Sequence, residues 1–405
     1  MSARADVLLY VQHLLGIGHI RRAAVLARAF HRAGLKVVFV TGGLPVGDLG
    51  LETVPGGIEV VQLPPARSQD DSFAVILDEH DRPIDEAWMA RRRAMLLEVY
   101  RRTRPRVVMT ELYPFGRRKM RFELDPLIEA ARGDDPPALI ACSLRDIVNR
   151  PERPEKTAWM VDHFTRLYDL LYLHGDPRFF RLEDSFPESP AVAERLHYTG
   201  YVTEAAQAVA AARAGRGDAG RDDAGRDEVI VSAGGGAVGA DLLRCALAAR
   251  PLSPLAAAPW RLLIGPNMPE DEFRAIAEAA PAGVAVERAR SDFVALLTRA
   301  RLSISQGGYN TLMEVLASGV PGVVIPFAGG TETEQTQRAG VLAAHGLITV
   351  VDENRLAPSS LAEGIARALA AVETRGNGGG GAPFRLDGAE ETARHLAALL
   401  RERAA

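Results

Sequence analysis

At 405 residues the chain is longer than one hydrophobic core usually serves, so two domains are expected. Its 47% hydrophobic and 25% charged content suits an ordinary globular protein, and a net charge of −4 removes any electrostatic reason to expect a nucleic-acid partner. Two cysteines, Cys142 and Cys245, lie far apart in apolar surroundings and read as core fillers rather than a disulfide or metal site.

A strand is predicted at once, over residues 7–11, with no basic-then-apolar leader before it. No apolar run approaches the ~18 to 20 residues that cross a bilayer, so a soluble cytoplasmic protein is the expectation. A helix follows over 18–33, where Ile20, Ala24, Ala27 and Phe30 recur at helical spacing and must face a sheet. Further strands are predicted at 36–41, 59–63, 107–110, 138–143 and 170–174. The basic runs at 91–93, 101–104 and 117–119 read as solvated helix faces.

Between residues 213 and 227 the pattern collapses into a near-repeat of Gly, Arg, Asp and Ala, with no apolar side chain larger than alanine. Such a stretch cannot bury enough surface to offset its ordering entropy, and a mobile loop at a domain boundary is predicted. A new unit then begins: strand 228–233, a glycine loop, a helix from Asp241, strands 261–264 and 284–287, and a helix over 293–300. Strand 302–305, a helix opening at Asn310 and Thr311, and strand 320–326 continue it. A second glycine loop, 376–381, precedes an amphipathic helix over 388–403. The expected domains are 1–212 and 228–385, with loop 213–227 between them and a C-terminal helix over 386–405. Strands alternating with helices imply parallel sheets covered on both faces. The fold class is therefore α/β, two Rossmann-like doubly wound domains facing across a cleft.

Three glycine loops carry the chemistry. Gly16-Ile-Gly18-His19 follows the first strand at the mouth of the first helix, where glycines let a ligand approach the backbone. His19, with an ordinary pKa near ~6.5, suits a general base, or else it merely caps the turn. Gly234-Gly235-Gly236-Ala237-Val238-Gly239 has dinucleotide-type spacing. The acid that an NAD ribose wants at the end of the next strand is missing, since that strand runs into Gly265-Pro266-Asn267. A diphosphate seat fits better, with a structural turn as the competitor.

The third loop is the most informative. Strand 302–305 runs through Gln306 into Gly307 and Gly308, and a helix then opens at Asn310 and Thr311. Backbone N–H groups and the positive helix end so aimed make a phosphate seat. Glu314 follows, either as a capping box with Thr311 or as a hydroxyl ligand. Glu334 and Gln335, after the next strand, are either a second hydroxyl-binding pair or a solvent-facing helix start. Carboxylates so near a phosphate seat suit a sugar joined to a phosphate.

With these residues in view the chain resembles a glycosyltransferase of the two-Rossmann (GT-B) architecture. Within that group it resembles the branch holding the peptidoglycan lipid-linked N-acetylglucosaminyl transferase and the UDP-glycosyltransferases, and more narrowly a bacterial set of predicted glycosyltransferases. Gln306-Gly307-Gly308-Tyr309-Asn310-Thr311 through Glu314 resembles the nucleotide-sugar signature, and Glu334-Gln335 its Asp/Glu-Gln pair. Gly16-Ile-Gly18-His19 resembles the acceptor-side loop. Tyr113-Pro-Phe-Gly-Arg-Arg-Lys119 and Ser143-Leu-Arg-Asp146 look typical of the narrower set.

The resemblance implies that Glu314 holds the donor ribose, Asn310 and Thr311 contact phosphates, and Gly234 to Gly236 back the diphosphate. Glu334 and Gln335 would orient the sugar, and His19 would be the base for in-line attack with inversion. No metal and no cofactor are implied beyond a UDP- or dTDP-sugar as co-substrate, because helix N-termini stabilise the leaving diphosphate. One departure is Gln306, neutral where the family has histidine or arginine. The acceptor is unnamed. Arg117, Arg118, Lys119 and Arg121 read first as a solvated helix, and second as a surface for an acidic acceptor or a membrane. The alternatives are a nucleotide-sugar 2-epimerase and a non-catalytic nucleotide-sugar sensor.

Overall fold

The computed structural model describes residues 4–70, 73–151, 153–215, 224–233, 239–265, 267–327, 334–375 and 385–403. The chain divides into two compact units, Met1–Thr203 with Asp387–Ala405, and Glu204–Leu386.

The first unit begins with β1 (Val7–Val11), helix α1 (Gly18–Arg32), β2 (Val37–Thr41) and β3 (Glu59–Gln62). The small antiparallel pair β4 (Arg67–Ser68) and β5 (Ile76–Leu77) follows, then α2 (Glu86–Thr103), β6 (Val107–Glu111) and α3 (Arg121–Gly133). β7 (Leu139–Arg145), α4 (Pro154–Leu167), β8 (Leu170–His174), the one-turn α5 (Leu182–Ser185) and β9 (Leu196–Tyr198) complete it. Seven strands pair in the order β3-β2-β1-β6-β7-β8-β9, and every pairing is parallel. All five residues of β1 are fully buried, as a central strand covered on both faces requires.

The second unit opens with α6 (Ala205–Arg213), β10 (Val229–Ser232), α7 (Ala240–Ala249) and β11 (Trp260–Ile264). It continues through α8 (Glu270–Glu278), β12 (Val284–Arg288), α9 (Phe293–Arg299), β13 (Leu302–Gln306) and α10 (Tyr309–Ser318). β14 (Gly322–Ile325), α11 (Glu334–Ala344), β15 (Thr349–Val350) and α12 (Pro358–Arg375) end it. Its six parallel strands run β12-β11-β10-β13-β14-β15. In both sheets the order in which strands are added reverses beside the first strand, between β1 and β6 and between β10 and β13. The crevice at the carboxyl ends of those strands is where such sheets bind ligands.

Two boundaries differ from the sequence reading. The division falls between Thr203 and Glu204, nine residues before 212, and α6 belongs to the second unit. Residues 224–227 of the predicted loop are packed there: Ala224 is buried beside Ile230 and Leu296, and Asp227 N–H donates to Arg299 O at 3.1 Å. Residues 216–223 lie outside the described residues, as does the second predicted loop, 376–381. The last helix, α13 (Gly388–Glu402), returns to the first unit. Its Ala389, Ala393, Leu396 and Leu400 share a core with Ile20, Ala27 and Phe30 of α1. Gly388 lets the chain cross there, since a Cβ would stand 2.3 Å from Gly200 O.

A buried polar knot holds the strand exits of the first unit. Arg92 of α2 and Glu123 of α3 pair at 2.8 Å with neither side chain exposed. Arg92 Nη1 also donates to Gly42 O (2.8 Å) and Pro64 O (2.7 Å), and its Nη2 to Gln12 Oε1. Tyr10 Oη donates to the other Glu123 oxygen at 2.5 Å. One guanidinium thus ties together the loops that leave β1, β2 and β3.

Candidate active site

In the first unit, the loop after β1 ends at Gly18, where α1 begins with no side-chain cap. Gly16 has φ +59°, a left-handed conformation that glycine adopts without strain. Among the described residues no atom lies within 4 Å of where a Cβ on Gly16 or Gly18 would stand. His19, in the first turn, is 12% exposed, and its Nδ1 lies 2.7 Å from Glu111 Oε1. Glu111 closes β6, is fully buried, and also pairs with Arg22 one turn along α1.

These charges determine each other. Burial opposes ionisation of Glu111, but His19 and Arg22 beside it, with Arg117 beyond, hold its carboxyl well below the usual range. Burial pushes the His19 pKa down to about 4, more than the Glu111 carboxylate raises it, and Arg145 adds to the lowering. His19 is therefore neutral near pH 7. An ionised carboxylate only accepts, so Nδ1 carries the proton and Nε2 keeps a lone pair.

The sequence reading missed Glu111. Its only signal was an acid closing the apolar run Val107-Val-Met-Thr110, at a position where a central strand would otherwise bury an uncompensated charge.

The two motifs of the narrower resemblance fall into different roles. Arg117, half-buried with φ +55°, donates from Nε to Gln12 O at 2.7 Å, tying the exit of β6 to that of β1. It is not part of the solvated face with which it was grouped, whereas Arg118, Lys119 and Arg121 are exposed. Tyr113 is buried, with its Oη bonded to Asp125 and 3.1 Å from His163 Nε2. Ser143 Oγ meets His174 Nε2 at 2.8 Å, and His174 Nδ1 meets Thr199 Oγ1 at 2.9 Å, all without exposure. Burial, then Arg22, pushes the His174 pKa down to about 3. This chain braces the strand ends and has no access to a ligand.

In the second unit, β13 ends at Gln306 and α10 begins at Tyr309, with Gly308 as N-cap and no side-chain cap hydrogen bond. The helix thus opens one residue earlier than predicted, which removes the capping box. Thr311 is already the third helical residue, and Glu314 stands too far along to reach the orphan N–H groups. Glu314 and Thr311 are half-buried, and Asn310 is exposed. Among the described residues nothing lies within 4 Å of where a Cβ on Gly308 would stand, so an anion can approach the backbone at the helix start there. Gly307 is packed instead: a Cβ there would stand 3.3 Å from Pro326 Cβ and 3.4 Å from Gln335 Cβ.

Gln335 Oε1 accepts from Phe327 N–H at 3.2 Å, fixing the exit of β14 beside the double glycine. Glu334 is 4% exposed, which removes the solvent-facing alternative, and its Oε1 pairs with Arg338 at 2.7 Å. The structure so brings Gly307, Gly308, Tyr309, Glu334 and Gln335 together. Gly234, Gly235 and Gly236 lie outside the described residues.

Residues 230–376 match the glycosyltransferase family 28 C-terminal domain, a segment that contains this whole second site. The chain is 30% identical over 140 residues to the UDP-N-acetylglucosamine--N-acetylmuramyl-(pentapeptide) pyrophosphoryl-undecaprenol N-acetylglucosamine transferase of Rhodopseudomonas palustris (strain BisA53). That match covers 33% of this chain and 37% of the relative. The transferase of the same description from Thermotoga neapolitana is 37% identical over 71 residues, 18% of this chain and 21% of the relative.

Among solved structures the likeness spans nearly everything. Acinetobacter baumannii MurG superposes with a TM-score of 0.59 at 13% identity, covering 98% of this chain and 99% of that one. The calicheamicin glycosyltransferase CalG4 gives 0.57 at 19% identity, covering 100% and 98%. The chain thus has the GT-B glycosyltransferase fold of two Rossmann-like units, and its second unit carries the family 28 C-terminal match.

Proposed function

We propose that the protein is a glycosyltransferase that moves a sugar from a nucleotide-sugar donor to an acceptor hydroxyl. The observation that carries this reading is the start of α10 behind the double glycine, with space beside Gly308 among the described residues, inside the segment that matches family 28. There the N–H groups of Tyr309, Asn310 and Thr311 would take the donor phosphates. Glu314 would bind the ribose, with Glu334 and Gln335 on the sugar. A UDP-sugar is the favoured donor, because the similar transferase of Rhodopseudomonas palustris is described as acting on UDP-N-acetylglucosamine.

In the first unit His19 Nε2 would take the proton of the attacking hydroxyl, while Glu111 stabilises the imidazolium that forms. Direct attack by that hydroxyl inverts the anomeric carbon. The departing diphosphate leaves into the positive end of α10, so the reaction proposed here needs no metal. Thermal-shift screening with UDP, dTDP, GDP and their sugars identifies the nucleotide. Product analysis on the bound donor, with and without candidate acceptors, then tests the chemistry. Sugar transfer is expected, and an epimerised donor or free nucleotide formed by elimination would overturn it.

A further inference from the structure

We propose that Arg338 determines donor-sugar recognition: it ties the Glu334 carboxylate to the start of α10, so that a sugar hydroxyl meets a fixed, acceptor-only carboxylate beside the anion seat. The proposal rests on the nucleotide-sugar reading above and names the residue that positions its sugar ligand.

The geometry is specific. Arg338 stands one turn after Glu334 on α11, a spacing that lets their side chains meet. Exposed pairs of this kind contribute little, but here the side chains are 2% and 5% exposed. Burying either charge alone would be costly, so each residue accounts for the presence of the other. The guanidinium also lies 5.2 Å from the ring centroid of Tyr309, the first residue of α10. A flat guanidinium can pair with a carboxylate and stack on a ring at once, which an ammonium does less well.

Gln335, next in the chain, packs against Gly307 and holds Phe327 N–H. The start of α11 is therefore held against the double-glycine loop and the exit of β14 by Gln335, and against the first residue of α10 by Arg338. A carboxylate held by a guanidinium keeps lone pairs for further donors and offers no proton of its own. The ligand it suits is a sugar presenting a free hydroxyl. One that is deoxygenated there offers Glu334 no donor, and one that carries a carboxylate there is repelled by it.

Calorimetric titration with UDP, dTDP, UDP-glucose, UDP-N-acetylglucosamine and dTDP-glucose tests this on the whole protein. Arg338→Met should lose about tenfold or more in affinity for the sugar nucleotide that wild type binds, while affinity for the bare nucleotide stays within about twofold. Arg338→Lys should recover part of the loss. Where Arg338→Met does not fold, Arg338→Lys carries the test by itself: it leaves Glu334 in place and paired with a cation but gives up the flat stacking on Tyr309, and it should show a smaller selective loss of the same kind. A folded variant that keeps the wild-type ratio of sugar-nucleotide to nucleotide affinity overturns the role of Arg338 alone. Wild type that binds none of the sugar nucleotides overturns the nucleotide-sugar reading, and this one with it.

Discussion

His19 Nδ1 donates to Glu111 Oε1 across 2.7 Å, joining the first turn of α1 to the last residue of β6. That hydrogen bond decides which imidazole nitrogen is basic. Glu111→Gln places an amide there that can donate to Nδ1, which would move the proton to Nε2 and remove the base. We expect kcat to fall by about 10²- to 10⁴-fold, as for His19→Ala, with donor KM little changed. Steady-state kinetics on the two variants check this. Equal activity in His19→Ala would assign the base elsewhere.

The same pair predicts pH dependence. Transfer with His19 as the proposed base would require that residue neutral; burial lowers its pKa to about 4, so kcat/KM should be level through neutral pH and fall toward pH 4. Stability follows the same group in acid. An unfolded histidine takes up a proton below about pH 6.5 while folded His19 resists until about 4, so stability is lost as pH falls through that window. Above it His19 contributes no pH dependence. His174, lowered to about 3, acts with the same sign and extends the window downward. Denaturant melts from pH 7 to 4 should show a shallower decline in His174→Asn than in wild type.

The two glycines before α10 should separate cleanly. Gly308 has φ −61° and ψ 139°, angles any residue adopts, and open space where a Cβ would go. Gly308→Ala should leave unfolding stability within about 0.5 kcal/mol yet obstruct the approach of a phosphate and weaken nucleotide binding. Gly307→Ala should lose stability as well, because its Cβ would press on Pro326 and Gln335. Thermal melts beside calorimetric titration distinguish the two.

The capping role is closed to Glu314, since α10 starts at Tyr309. Glu314→Gln should change stability by less than about 0.5 kcal/mol and still reduce nucleotide affinity. A nucleotide affinity equal to wild type would remove Glu314 from the ribose.

Arg92→Met should be the most damaging of these substitutions to stability. It leaves Glu123 charged and buried and releases the carbonyls of Gly42 and Pro64. A cost of about 3–5 kcal/mol is expected in urea unfolding.

Much of the molecule was legible in advance. The strands leading to each site could be read because central parallel strands are apolar on both faces, as in Val7–Val11 and Val107–Glu111. The glycine loops marked where those strands meet helices. The capping box at Thr311 failed because its local pattern is shared by any helix that merely passes through those residues. Backbone geometry at Gly308 decided otherwise. Glu334 read equally well as solvent-facing, since an acid at a helix start is ordinary either way until its burial is known.

The sequence by itself determined the α/β class, the two-unit plan and the glycine loops at the strand exits, because hydrophobic periodicity and glycine spacing are local properties of the chain. Only the tertiary structure decided that His19 finds Glu111, that α13 closes the first unit, and that Arg338 answers Glu334 beneath Tyr309. Those pairings depend on strand order, on Tyr10 lying beside Thr110 in the sheet, and on which groups lose water together. Strand order and desolvation belong to the folded chain, and no window of sequence contains them.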